Sequence, residues 1–143
     1  MARIQIDCPE QFSFHCTIPV RITDINYGSH AGNDAILGMV HEARMQYLQS
    51  LGYTELSFAG CGLIMSDAAL QFKQELFYGE TVEVFVQSTE LGRIGFDLVY
   101  KLEKTVDGKK ATVAIAKTGM ICFNYQLKKP VSIPAEAAAK LIS

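Results

Sequence analysis

Between residues 24 and 34 the chain gathers Asp24, Asn26, His30, Asn33 and Asp34, with Gly28 and Gly32 interleaved. His30 is the side chain best suited to acid–base work, because an unperturbed imidazole titrates near neutrality. A loop histidine bonded to a nearby carbonyl is the plainer alternative. Asn33 reads as a helix N-cap, and Asp34 suits the positive end of the helix dipole. The first N–H groups of such a helix have no partner inside it, so its start can hold negative charge developing on a carbonyl oxygen. Equally, Gly28 and Gly32 could do no more than allow a tight loop. Asp34 offers a carboxylate base, although the dipole that stabilises it by ~0.3–1 kcal/mol also weakens it as a base. Asp24 reads more readily as a loop organiser that accepts backbone N–H bonds.

The elements that must position these residues follow from periodicity. Residues 12–22 are rich in aromatic and β-branched side chains and read as a first strand, weakened or bulged at Pro19. A polar loop, 23–32, leads into 33–51, where Ile36, Met39 or Val40, Ala43, Tyr47 and Leu51 recur at helical spacing and Leu37, Val40 and Leu48 add a second apolar stripe. Most of this helix should be buried, with Gly52 ending it. Glu42 falls on a wheel with Ala35, Gly38, Met39, Gln46 and Gln49, a face that could be solvated or could meet a ligand. Gly38 costs ~1 kcal/mol relative to alanine inside a helix and suggests close approach of another group.

After a turn region, 54–60, the remainder reads as strands: 63–76, 81–91, 94–104 and 109–125, with turns at Tyr78-Gly79-Glu80, Gly92-Arg93 and Asp107-Gly108. Pro134 precedes a short helix over 135–141. One apolar helix against a long antiparallel sheet is an α+β architecture. The four later strands are expected to run as a meander, with the first strand on an edge. The uncovered face and free edges should seek a partner, so self-association as a dimer or tetramer is expected.

The 143 residues suit one domain, 1–143, with 49% hydrophobic and 20% charged residues and a formal charge of −2. With no basic stripe, nucleic acid is not an expected partner. No apolar run approaches the ~20 residues needed to span a bilayer and the N-terminus lacks an apolar signal region, so no membrane partner and a cytoplasmic location are expected. Cys8, Cys16, Cys61 and Cys122 are scattered without metal spacing, which fits reduced thiols. A metal site on His30, Asp34 and His41 is set aside on spacing, and no G-x-S-x-G elbow is present.

Several motifs in order carry a family resemblance over residues 14–141. The run Val20-Arg21-Ile22-Thr23-Asp24-Ile25-Asn26-Tyr27-Gly28-Ser29-His30-Ala31-Gly32-Asn33 resembles the signature V-R-x-x-D-x-D-x-x-x-H-x-N-N of hotdog thioesterases in the 4-hydroxybenzoyl-CoA thioesterase superfamily. Glu42-Ala43-Arg44, Leu76 to Val82, Leu91-Gly92-Arg93 and the stretch from Pro130 to Pro134 fit it too. The resemblance implies a hotdog fold: a long central helix wrapped by a curved five-stranded antiparallel sheet. It also implies hydrolysis of an acyl-CoA or acyl carrier protein thioester, with coenzyme A entering as part of the substrate and no other cofactor.

One departure matters. The family's catalytic aspartate is the second acid of D-x-D, and here that position is Asn26, which can neither accept a proton as a general base nor attack as a carboxylate. The resemblance makes Asn26, His30, Asp34 and Asp24 the catalytic candidates, and Gly32, Asn33, Glu42, Ser66, Asp67 and Arg93 the substrate-binding ones. Similar enzymes that use a helix glutamate place it one turn earlier, where Met39 stands. Ser66 and Asp67 lie on the strand that lines the acyl slot from the other subunit in similar dimers. Arg93, Lys109 and Lys110 could meet coenzyme A phosphates, or be ordinary surface cations. Met39, Phe58, Met65 and Phe77 would line an apolar slot. Two rivals stand beside hydrolysis: a hotdog hydroxyacyl dehydratase, echoed by His30-Ala31-Gly32-Asn33 and Glu42, and a non-catalytic acyl-thioester-binding module, suggested by Asn26.

Overall fold

The computed structural model describes residues 3–142. In chain order it contains β1 (Phe14–Pro19), a 3-10 turn (Ile22–Asp24), α1 (Asn33–Ser50), β2 (Gly62–Phe72), β3 (Thr81–Thr89), β4 (Gly95–Val106), β5 (Lys109–Asn124), β6 (Lys129–Pro130) and α2 (Ala135–Leu141). All these strands join one antiparallel sheet in the order β1-β3-β4-β5-β2, with the two-residue β6 paired to β5. The helix on an antiparallel sheet is the expected α+β arrangement, but the sheet has six strands rather than five. The four-strand meander is also corrected. Only β3, β4 and β5 run as a meander, while β2 crosses over to pair with β5 at the far edge. Tight turns connect neighbours, and residues 73–80 are too long a connection to force β2 and β3 side by side.

The alternation seen in the sequence sets the core. Val82, Val84 and Val86 of β3, Leu98, Tyr100 and Leu102 of β4, and Ala114, Ala116 and Met120 of β5 all turn to the helix side and are buried. Each such large side chain contributes roughly 1.5–3 kcal/mol by leaving water. From α1, Ile36, Met39, Val40, Ala43, Tyr47 and Leu48 meet them. The helix is less buried than its two stripes predict, because it packs against β1 and β3 and leaves Leu37, Gly38, His41 and Glu42 exposed. Asp107 and Gly108 both have positive φ, +52° and +77°, as a two-residue hairpin requires.

Arg44 is the unforeseen core residue. Only 5% exposed, it sends one guanidinium nitrogen to within 3.4 Å of the Tyr100 hydroxyl, which bonds Thr118 Oγ1 at 2.7 Å. Its Nε lies 3.7 Å from Glu55 Oε1, and His41 Nε2 reaches the same oxygen at 2.9 Å. A buried cation without such company would cost several kcal/mol. Burial pushes the pKa of the Tyr100 hydroxyl up and keeps it protonated, so it can accept from Arg44 while Thr118 shares its proton. Phe58, expected to line a slot, is instead fully buried between Tyr53 and Phe96.

The opposite face of the sheet is partly covered by the chain itself. The Ile6 N–H donates to Gln71 Oε1 at 3.2 Å and the Ser13 N–H to Gln87 Oε1 at 2.7 Å, while Ile4 and Ile6 line a cleft with buried Val99. The four cysteines are free thiols. Burial pushes the Cys16 pKa up to about 11 and the Cys122 pKa up to about 12, so both stay protonated and unreactive. No helix among the described residues is long and apolar enough to cross a membrane.

Candidate active site

The loop between β1 and α1 is held by its own polar atoms. Asp24 is 8% exposed, and its carboxylate accepts the Arg21 N–H at 2.8 Å and an Arg21 guanidinium N–H at 3.3 Å. It organises the loop, and its backbone oxygen accepts the Gly32 N–H at 3.1 Å. The Asn26 N–H donates to His30 O at 3.0 Å, and the Asn26 side-chain oxygen accepts the Gly28 N–H at 2.8 Å. Asn26 therefore closes the tight turn that presents His30, and its amide nitrogen faces Gly32: a Cβ there would lie 3.4 Å from it. In this turn an amide does what a carboxylate could also do as an acceptor, without supplying a base.

Gly32, not Asn33, is the N-cap; Asn33 is the first helical residue. The physical reason is close packing at the helix mouth. A Cβ on Gly32 would stand 2.6 Å from Asp34 Oδ1, so only glycine fits with that carboxylate in place. Among the described residues no side chain caps α1, and the first intrahelical bond runs from the Ile36 N–H to Gly32 O. The donors at the mouth are thus free to meet a ligand oxygen.

His30 sits beside that mouth. Its Nδ1 lies 3.0 Å from Ala31 O, and since a carbonyl can only accept, Nδ1 carries the hydrogen and Nε2 of the neutral ring carries the lone pair. Nε2 points towards Glu75, with Oε1 at 3.8 Å. His30, Asn33, Ile36, Phe72, Glu75 and Leu76 line a cleft of about 240 Å³. The Ala31 N–H donates to Leu76 O at 2.8 Å and stitches the two walls together.

The candidate residues do not all converge on this cleft. Asp24, Asp34, Gly38, Met39 and Glu42 line a second, larger groove of about 600 Å³ between β1 and α1, on the other flank of the helix start. Gly38 faces open space there, with nothing within 4 Å of where a Cβ would stand, so no group among the described residues makes the close approach that its glycine suggests. Ser66 and Asp67 occupy a bulge where β2 pairs with β5. Asp67 Oδ1 accepts from Lys117 Nζ at 2.8 Å and from the Gly119 N–H at 3.0 Å, and Ser66 Oγ donates to Gly119 O at 3.2 Å. The Lys117 hydrogen bond holds the Asp67 carboxyl below its ordinary pKa. Register puts Asp67, Gly119 and Asp97 on the sheet face away from α1. Arg93 is an exposed turn residue, with one guanidinium nitrogen 3.4 Å from Ser132 Oγ.

Nothing in the sequence singles out Glu75. It lies in a polar stretch, Lys73-Gln74-Glu75, with no motif around it, and only the crossover brings it to His30.

One long helix laid over a single antiparallel sheet is the arrangement of a hotdog domain. Residues 20–141 match the model of the thioesterase-like superfamily, and the chain belongs to that superfamily. A protein of Aquifex aeolicus (strain VF5), named only provisionally as an esterase, is 31% identical over 97 residues, 66% of this chain and 71% of its own. The 1,4-dihydroxy-2-naphthoyl-CoA thioesterase from Synechocystis has a TM-score of 0.80 at 19% identity, over 91% of this chain and 96% of its own. A 4-hydroxybenzoyl-CoA thioesterase mutant complexed with 4-hydroxybenzoyl-CoA has a TM-score of 0.81 at 13% identity, over 90% and 97% respectively. These likenesses establish the hotdog fold, and the family makes thioester hydrolysis the general class of chemistry.

Proposed function

We propose that the protein hydrolyses an acyl-CoA thioester to the free acid and thiol, with His30 as the acid–base group and the N-terminus of α1 as the oxyanion site. The observation that carries this is the contact of His30 Nδ1 with Ala31 O at 3.0 Å, which leaves Nε2 as the ring atom able to act as a base, at the edge of an uncapped helix start. Water attacks the thioester carbonyl carbon as Nε2 takes one of its protons, and the oxyanion is met by the helix N–H groups. When the C–S bond breaks, the imidazolium returns that proton to the leaving sulfur, giving thiol and carboxylic acid. Asn26 and Asp24 shape the loop in this scheme. Coenzyme A thioesters are favoured because a solved structural neighbour is complexed with 4-hydroxybenzoyl-CoA.

The domain is proposed to work as a homo-oligomer through β2. That strand ends the sheet, and Met65 and Phe72 on its helix side are 45% and 51% exposed. Phe72 also walls the His30 cleft, so a second copy against β2 would finish the site.

The test is thiol release from a panel of short, medium, branched and aryl acyl-CoAs. The parent should turn over at least one of them, and His30→Ala should lower kcat by ~10²–10⁴-fold, the usual worth of a positioned acid–base group. An inert parent in which only Asn26→Asp releases thiol would leave a binding module on a thioesterase scaffold. Hydration of an enoyl thioester instead would move the protein to the dehydratases.

A further inference from the structure

We infer that Glu75 is the positioning residue for His30, the carboxylate that supports its imidazolium now that Asn26 stands where the family has its acid. The inference rests on the hydrolytic reading above and adds to it a residue from a different segment of the chain.

The backbone around Glu75 is fixed on both sides. The Lys73 and Gln74 N–H groups both donate to Val113 O, at 2.8 and 3.1 Å, and pull the chain out of β2. Lys104, 8% exposed, donates from Nζ to Glu75 O at 2.7 Å and to Glu80 Oε1 at 3.2 Å. One residue further on, Leu76 O accepts from the Ala31 N–H. A buried lysine is costly, and here it is spent on holding the main chain at Glu75. The Glu75 side chain is left projecting into the cleft shared with His30, Oε1 at 3.8 Å from Nε2.

That separation is too long for a direct hydrogen bond and short enough for a water held between the two groups. The neutral ring offers Nε2 as acceptor and the carboxylate offers a second acceptor, so one water can donate to both. When Nε2 takes a proton from that water, the new imidazolium faces a carboxylate. Glu75 gains and loses no proton overall; its charge lowers the cost of the ion pair formed during attack. It also falls in the crossover from β2 to β3, which reaches the signature loop, and among the described residues no other carboxylate lies within 4.0 Å of the His30 ring nitrogens.

Two measurements on the full-length chain separate this role from a structural one and from the hydrolytic reading itself. In long-range proton–nitrogen spectra at fixed pH, the parent should show His30 as the Nδ1–H tautomer, and its Nε2 resonance should move in Glu75→Gln. An unmoved Nε2 overturns the inference whether or not the enzyme is active. On the acyl-CoA that the parent turns over, Glu75→Gln should lower kcat about tenfold with KM unchanged and Tm unchanged. That lies between the few-fold worth of an exposed pair and the ~10⁴-fold loss of a buried carboxylate behind a catalytic histidine. Glu75→Asp should recover part of the loss. Equal kcat values for parent and Glu75→Gln overturn the inference while hydrolysis stands. A moved resonance in a protein that cleaves no acyl-CoA leaves the pair coupled and removes the hydrolytic reading instead.

Discussion

Two clefts flank the start of α1, and they differ in almost every respect. The groove on the β1 side encloses about 600 Å³ and carries Asp24, Asp34 and Glu42 against the cation of Arg21. The cleft on the β2 side encloses about 240 Å³, holds His30 and Glu75 with Lys73 beside them, and is walled by the exposed Phe72 of a free edge strand. Size favours the first; chemistry favours the second. A thioester of coenzyme A brings several phosphate charges, which three carboxylates repel. The smaller cleft is also the one that a second copy on β2 would enlarge and dry. The smaller cleft at the sheet edge is therefore the better candidate here.

The sharpest way to break the comparison is at the helix mouth that both clefts share. Gly32→Ala places a methyl 2.6 Å from Asp34 Oδ1, so the Asp34 carboxylate must swing away, and sets it in ordinary contact, 3.4 Å, with the Asn26 amide nitrogen. Alanine is also a poorer N-cap than glycine, at a cost of roughly 1 kcal/mol or less. We expect kcat/KM for the best acyl-CoA to fall about tenfold, more than that stability loss explains. Unchanged kinetics would mean that the reacting carbonyl does not sit at the helix start.

How much of this is legible in the sequence depends on distance along the chain. The α1 start, the His30 loop and the Asp107-Gly108 hairpin are local features, fixed by capping, glycine and turn chemistry, and the sequence shows them. Sequence alone puts the N-cap one residue late, because Asn33 is a good capping type while the packing of the Asp34 carboxylate against Gly32 is visible only in three dimensions. Strand positions follow from alternation, yet the order does not: the same pattern serves β2 beside β3 or beside β5. Arg44 and Glu75 are hidden for the same reason. Arg44 becomes a core residue only when Tyr100, 56 residues further along the chain, meets it and bonds Thr118 in turn. Glu75 becomes a neighbour of His30 only through the crossover.

A smaller effect is expected from the acids of the larger groove. Asp34→Asn and Glu42→Gln each keep the shape of the side chain and remove its charge. If the chemistry lies on the β2 side, kcat/KM should change by about threefold or less, under ~1 kcal/mol. Removing Glu42 should cost little stability as well, since its side chain is exposed and accepts a hydrogen bond from Gln46 Nε2, at 2.8 Å, one turn along. A loss beyond about tenfold in either variant would transfer the general base to the β1 side and reverse the comparison. Measuring both against the same acyl-CoA, together with Gly32→Ala, separates a shared mouth from a shared base.

The smallest effect is the most diagnostic of what the larger groove does. Gly38 sits in the middle of α1, exposed, with nothing within 4 Å of where a Cβ would stand. Helical backbone there needs no glycine, and alanine should stabilise the protein by about 0.5–1 kcal/mol, raising Tm by roughly 2–4 °C. If the groove stays empty during turnover, Gly38→Ala should gain that stability and keep kcat and KM. A variant that is more stable yet binds its acyl-CoA more weakly would show that the groove receives part of the substrate, because a single methyl pointing into open space can act only on something that comes to fill it. A variant with parental stability would contradict the exposed, unstrained setting of Gly38 itself, and thermal unfolding of the two proteins side by side decides that first.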